Sequence, residues 1–332
     1  MLVTFTAPAF LDPLFGPLLS ALGEHGHDTR RFHDHADFLA DARTCRETDV
    51  VIALPDLKAG SNLMEAAPKL RGLVSPVTGT EGFDEGAATD RGILVVNGQI
   101  EQNYKSMAEA TVLLILAAMY DLKGTERILR ENLPRPPHLK ARMIARKTIG
   151  LIGFGQISQT VAERLSTWEA NIITTVRTPR VLPSYVTAVD LGQLLRESDV
   201  VVVLTALNSE SRGMLDESLL ETMKQDVTFV NVARGGIVDD DALAALASRR
   251  PDMRLALDVF APEPLRLDSP LRYLPDAILT PHMVGHTVET HAQLPLTLRD
   301  NVLDLLDGRV PAYVRNRGAV DAWLKRFGGK RN

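Results

Sequence analysis

The middle of the chain alternates short, almost wholly apolar runs with longer amphipathic stretches. The runs are Thr148–Ile152, Ile172–Val176, Val200–Leu204, Val227–Val232, Arg254–Asp258 and Ala277–Thr280. They are too short for helices and rich in β-branched residues, so they predict strands. Between them, Gln156–Thr167 sets Ile157, Val161 and Leu165 on one helical face. Asp216–Lys224 opens on a capping acid and groups Leu219, Leu220 and Met223. Asp239–Ser248 starts with three acids, ends before Arg249-Arg250 and meets Pro251, which are the preferences of a helix start, end and stop. Strands that are apolar throughout, not on alternate residues, need helices on both faces. The pattern predicts an α/β fold with a doubly wound parallel sheet.

The first hundred residues repeat the alternation more weakly, with strands at Val3–Phe5, Val50–Leu54, Leu70–Ser75 and Ile93–Val96. A helix from about Asn103 to Leu122 follows, and then Leu133–His138, whose Pro134, Pro136 and Pro137 make it a loop. From His286 a helical pattern resumes, and the basic end, Lys325–Asn332, is expected to fray. At 332 residues, two domains are the natural division. We place one at 98–286 and build the other from both ends, 1–97 and 287–332.

Charge narrows the partners. Lys plus Arg is 37 and Asp plus Glu 42, a net charge of −5 that gives no support to nucleic-acid or anionic-membrane binding. The longest apolar stretch, Thr111–Tyr120, is about half of the roughly 20 residues a spanning helix needs. The first residues, MLVTFTAPAFLDPLF, have no basic start and contain Asp12, so they read as a strand and turn, not a secretory leader. The lone Cys45 cannot form an internal disulfide, which fits a cytoplasmic protein. His25, His27, His33 and His35 cluster, but no cysteine or second cluster completes a ligand set, and no metal is expected.

Candidate chemistry begins at Gly153-Phe154-Gly155-Gln156-Ile157-Ser158, between a predicted strand and a predicted helix. Glycine at 153 permits a tight turn. Glycine at 155 lets backbone amides approach a pyrophosphate at the positive helix end, and Ser158 is small enough for close packing. An NAD site would place Asp or Glu at the end of the next strand. Here that strand ends at Val176, followed by Arg177-Thr178. Arginine there suits the 2′-phosphate of NADP, so NADP is expected over NAD, with NAD still possible.

Three later strand ends carry acid–base residue types: Arg234 after Asn231-Val232-Ala233, Glu263 in Asp258–Pro264, and His282 after Thr280-Pro281. Taken singly, each is ordinary: a surface ion pair, a loop charge, a packed histidine. Together they lie where doubly wound sheets bind ligands, beyond the carboxyl ends of the strands. Arginine can grip a carboxylate with two hydrogen bonds, histidine can exchange an alcohol proton near neutral pH, and glutamate can hold the imidazole.

These segments resemble the D-2-hydroxyacid dehydrogenase family over nearly the whole chain, in the order GLIGFGQIS, LNSESRGMLDESLLETMK, VNVARGGIVDDDALAAL, ALDVFAPEPL and LTPHMVGHT. The resemblance implies a Rossmann cofactor domain inserted in a smaller flavodoxin-like substrate domain. It implies that Arg234 binds the substrate carboxylate, Glu263 pairs with the catalytic histidine and His282 is the general acid/base. Asp258 is implied to contact the nicotinamide amide, with Ala233 and Gly285 also beside the cofactor. SPVTGTEGFDEGAATDRGILVVN resembles the substrate loop, pointing to the amides of Val77, Thr78 and Gly79. MAEATVLLILAAM resembles a helix that usually contributes to a dimer interface, so a homodimer is implied. VRTPR resembles the NADP-preferring glyoxylate/hydroxypyruvate reductase branch.

Departures from the pattern are Ser158 for the third glycine and Leu204-Thr205-Ala206-Leu207 where many members have His or Cys before Pro. Glu263 disfavours a formate dehydrogenase, where Gln would stand, and phosphoglycerate dehydrogenases with a regulatory tail are longer. The expectation is a 2-hydroxyacid dehydrogenase acting as a reductase of a small 2-ketoacid. The alternative is a dinucleotide-sensing binding protein of the corepressor kind, which keeps the same residues. Neither the substrate's side chain nor the physiological direction is written in the sequence.

Overall fold

The computed structural model describes residues 1–55 and 57–329. It divides into two compact units, one of residues 1–102 with 287–332 and one of residues 103–286.

The first unit holds a parallel sheet of β1 (Leu2–Thr6), β2 (Asp28–Phe32), β3 (Thr48–Ala53), β4 (Gly72–Val74) and β5 (Leu94–Val96), in the order β2-β1-β3-β4-β5. That is the flavodoxin-like strand order. Its edge strand β2, DTRRF, was not expected. It is charged and largely exposed because an edge strand packs little and carries charge to discourage further pairing. The helix Val288–Leu306 packs Leu298, Val302, Leu305 and Leu306 onto this sheet's core. The stretch expected to fray, Lys325–Asn332, begins inside a helix, Val320–Phe327, anchored by fully buried Trp323 whose Nε1–H donates to the Arg71 carbonyl at 2.8 Å. Residues 330–332 of that basic stretch lie outside the described residues.

The second unit holds β6 (Thr148–Ile152), β7 (Asn171–Thr175), β8 (Val186–Ala188), β9 (Val200–Val203), β10 (Thr228–Asn231), β11 (Arg254–Leu257) and β12 (Ile278–Leu279). All pairings are parallel, in the order β12-β11-β10-β9-β6-β7-β8. This is the Rossmann order with one added strand, and it reverses direction between β6 and β9, where such sheets bind dinucleotides. The Asp216 and Asp239 caps form as expected, accepting the Leu219 and Ala242 N–H groups. Short β8 was not expected; its Thr187 and Ala188 are exposed, so it lacks an apolar run. The expected single helix to Leu122 is instead two, Glu101–Met119 and Leu122–Arg130, broken at Asp121, whose φ is +49°.

Among the described residues no helix is long and apolar enough to cross a membrane, and no cluster suits a metal ion.

Candidate active site

Because every strand of the second unit runs parallel, all their carboxyl ends lie at one edge of the sheet. That edge carries the glycine turn after β6 and the segments bearing Arg234, Glu263 and His282.

At the glycine turn, Gly153 has a φ of +93° and donates its N–H to Thr175 Oγ1 at 3.2 Å. A side chain here would be strained and would come within 3.0 Å of the Thr205 backbone. At Gly155, by contrast, a Cβ would meet nothing within 4 Å. The open space beside Gly155 lies at the start of the Gln156–Leu165 helix, whose amides and dipole suit a phosphate. The turn therefore fits the pyrophosphate of a dinucleotide. Ser158 is buried against the sheet, as its small size allows, though its hydroxyl finds no hydrogen-bond partner.

Beyond β7, Arg177 is 76% exposed and pairs with Glu210 at 3.3 Å, and Thr178 is exposed. The residue that reaches the glycine turn is Arg180, which sequence reasoning passed over. Its Nη1 donates to the Phe154 carbonyl at 3.0 Å, and its guanidinium lies 5.8 Å from the Phe154 ring centre. Only its place three residues after Arg177 in an arginine-rich turn could have flagged it.

The loops after β10, β11 and β12 interlock. Asn231 Oδ1 accepts the Ala233 N–H at 3.1 Å while its Nδ2 donates to the Arg234 carbonyl at 3.2 Å, which shapes the turn that presents Arg234. Next to it, a Cβ on Gly235 would stand 1.9 Å from the Phe260 carbonyl carbon. Only glycine lets the Arg234 turn press against the backbone of the loop bearing Glu263.

His282 Nδ1 lies 2.7 Å from Glu263 Oε2, and Glu263 Oε1 accepts the Phe260 N–H at 3.1 Å. Burial works against ionising Glu263. The hydrogen bonds from His282 and Phe260, with the nearby charges of His282 and Arg234, outweigh it and hold the carboxyl below its usual range. An ionised carboxylate only accepts, so Nδ1 carries the hydrogen of this contact.

The His282 backbone is left-handed, with φ +55°, and its N–H donates to the Asp258 carbonyl at 2.7 Å. Asp258, almost fully buried, fastens the same turn: its Oδ1 accepts from Thr280 Oγ1 at 2.6 Å, Met283 N at 3.0 Å and Val284 N at 3.2 Å. Expected beside the cofactor, it thus also orients His282. Gly285 has a packing reason of its own, because a Cβ there would collide with Met107 Sδ.

In the first unit, Val77 and Thr78 carbonyls accept from Gly98 N and Asn97 Nδ2, each at 2.8 Å, so the loop is fixed by its oxygens. The Val77 amide donates to Ser75 Oγ at 3.3 Å, Thr78 is exposed and Gly79 is buried.

Residues 112–284, just over half of the chain, match the family model described as D-isomer specific 2-hydroxyacid dehydrogenase, NAD binding domain. A D-3-phosphoglycerate dehydrogenase of Mycobacterium tuberculosis is 32% identical over 280 residues, covering 82% of this chain and 52% of that one. The chain thus spans about half the length of the phosphoglycerate dehydrogenases it matches. A glyoxylate reductase of Thermofilum pendens is 31% identical over 286 residues, covering 83% of each chain. Among solved structures, the NAD-dependent formate dehydrogenase of Staphylococcus aureus in complex with NAD superposes with a TM-score of 0.78 and 26% identity, over 92% of this chain and 95% of that one. With its fold, its glycine turn and these matches, the chain belongs to the D-isomer specific 2-hydroxyacid dehydrogenase family.

Proposed function

We propose that the chain is an NADP-preferring 2-hydroxyacid dehydrogenase that works mainly as a reductase of a small 2-ketoacid of the glyoxylate or hydroxypyruvate class. The observation that carries this is the 2.7 Å contact between His282 Nδ1 and an ionised Glu263, at the same sheet edge as Arg234 and the glycine turn. The 103–286 unit holds the dinucleotide and the other unit supplies the substrate loop.

The segment Gly153–Ile157 would hold the pyrophosphate, with Arg177 and Thr178 toward the adenosine ribose and Ala233, Asp258 and Gly285 toward the nicotinamide. A bound nicotinamide supplies or accepts the hydride. Arg234 binds the ketoacid carboxylate and fixes its orientation, which turns the encounter into a near-attack geometry. Protonated His282 gives the Nε2 proton to the carbonyl oxygen as it gains charge, and Glu263 steadies the imidazolium before transfer. In the reverse direction neutral His282 takes the alcohol proton. Arg177 is already paired with Glu210, a weak exposed pair that a 2′-phosphate can displace. The reading also carries a cytoplasmic homodimer, with exposed Leu113 on the Glu101–Met119 helix in the subunit face.

The test is an initial-rate screen of glyoxylate, hydroxypyruvate and phenylpyruvate with NADPH and NADH in parallel. Turnover with NADPH favoured, and that preference lost in Arg177→Asp, is expected. No turnover with any ketoacid overturns the activity. Equal use of both dinucleotides by the wild type overturns the preference.

A further inference from the structure

We infer that Asp240 is a positioning residue of the acid–base pair: its carboxylate grips the loop that presents Glu263 to His282. The inference rests on reading Glu263 and His282 as that pair. Asp240 opens the Asp240–Arg249 helix, and its Oδ2 accepts the Ala261 N–H at 3.0 Å. One residue earlier, Phe260 donates its N–H to Glu263 Oε1 at 3.1 Å, and its carbonyl carbon abuts Gly235. Glu263 is two residues beyond Ala261, so a shift at that amide is passed on to the carboxylate.

The two neighbouring acids have other tasks. Asp239 caps the helix through the Ala242 N–H at 2.9 Å, and Asp241 pairs with Arg266 at 3.3 Å. Arg266 also lies 3.6 Å from Asp268, and Arg272 donates to the Leu265 and Arg266 carbonyls. Glu221, from the packed Glu217–Glu221 helix, pairs with Arg249 and Arg250 at the helix's other end. Of the three acids, Asp240 is the one that accepts an N–H from the stretch between Phe260 and Glu263.

Burial, helped by the charges of Asp241 and Asp239, pushes Asp240 up to about 6, against the Ala261 N–H and Arg266. As pH falls through that value the grip changes from a charge-assisted hydrogen bond to a weaker neutral one. Glu263, held below the usual carboxylate range, stays ionised meanwhile.

The experiment follows the downfield Nδ1–H proton of His282 by NMR in the whole chain at pH 7 and pH 5, with turnover measured alongside. In the wild type the signal weakens between the two. Asp240→Asn keeps an oxygen acceptor without a titrating charge, and gives the weaker signal of the wild type at pH 5 at both pH values. Asp240→Ala loses it at both, and its kcat falls roughly ten- to a hundredfold while the dinucleotide KM moves less than about twofold. A wild-type signal in Asp240→Ala at both pH values overturns the inference. Should Asp240→Ala not fold, Asp240→Asn decides, and a wild-type pH response in that variant overturns it equally. If no ketoacid is turned over, the proposed function fails, while the proton signal still reports on the tie.

Discussion

Two edges of the same Rossmann sheet each hold a carboxylate against a nitrogen-bearing partner. At the amino-terminal edge Asp199 meets Lys224 at 2.9 Å and accepts the Thr148 N–H at 2.8 Å. At the carboxyl-terminal edge Glu263 meets His282 at 2.7 Å and accepts the Phe260 N–H at 3.1 Å. Burial opposes ionisation in both. In both, a backbone N–H and the partner win, so each carboxylate sits below its ordinary range. The partner makes the difference. An ammonium keeps its charge through the neutral range, so the first pair is a staple joining β6 to the β9 and β10 entries. An imidazole can release its proton there, so the second pair can act as a tool.

Breaking the tool should have the largest effect. His282→Ala is expected to lower kcat by about 10²–10⁴-fold, read from initial rates, with little change in unfolding midpoint. The staple should respond the other way: Asp199→Ala leaves the Thr148 N–H and Lys224 unpaired, for a loss of about 2–3 kcal/mol in urea unfolding at pH 7 with turnover kept. Because the Asp199 value is lowered in the folded state, its contribution is present above the unfolded value near 4 and fades as pH falls through the folded one.

Asp240 sharpens the contrast, since it is raised from 3.8 to about 6. Its folding contribution is present below the unfolded value and is lost as pH rises through 6. That rise corresponds to at most about 3 kcal/mol, and solvent screening of the partly exposed side chain reduces it to roughly 1–2. Asp240→Asn is therefore expected to gain that much stability at pH 8 and nothing near pH 4, by denaturant titrations at both. Smallest is Ser158→Ala, which removes a buried unpaired hydroxyl and should add up to about 1 kcal/mol.

Much of this was legible in the sequence because it depends on local pattern. Val200–Val203 and Thr228–Asn231 are fully buried strands and read as unbroken apolar runs; Asp216 and Asp239 cap the helices their position announces. β2 was missed because an edge strand rich in arginine carries no such run. Arg234, Glu263 and His282 were singled out by type and strand-end position. The contacts that aim them were not, because they join distant segments: Gly235 to Phe260, Asp240 to Ala261, Asp258 to the turn at His282. In a run of three acids, composition cannot tell which one turns inward.

The left-handed backbone at His282 bears on any attempt to toughen this protein. Among the described residues, Asp121, Asn132, Arg146, Glu169 and His282 are the non-glycine positions with positive φ. Glycine is the usual engineering remedy at such positions, relieving roughly 1 kcal/mol of steric conflict. At Arg146 or Glu169 that exchange is a sensible route to a hardier protein. At His282 the same rule would favour a sturdier molecule without the proton donor that the proposed function needs, so a selection scheme that scores heat resistance alone would steer away from that chemistry.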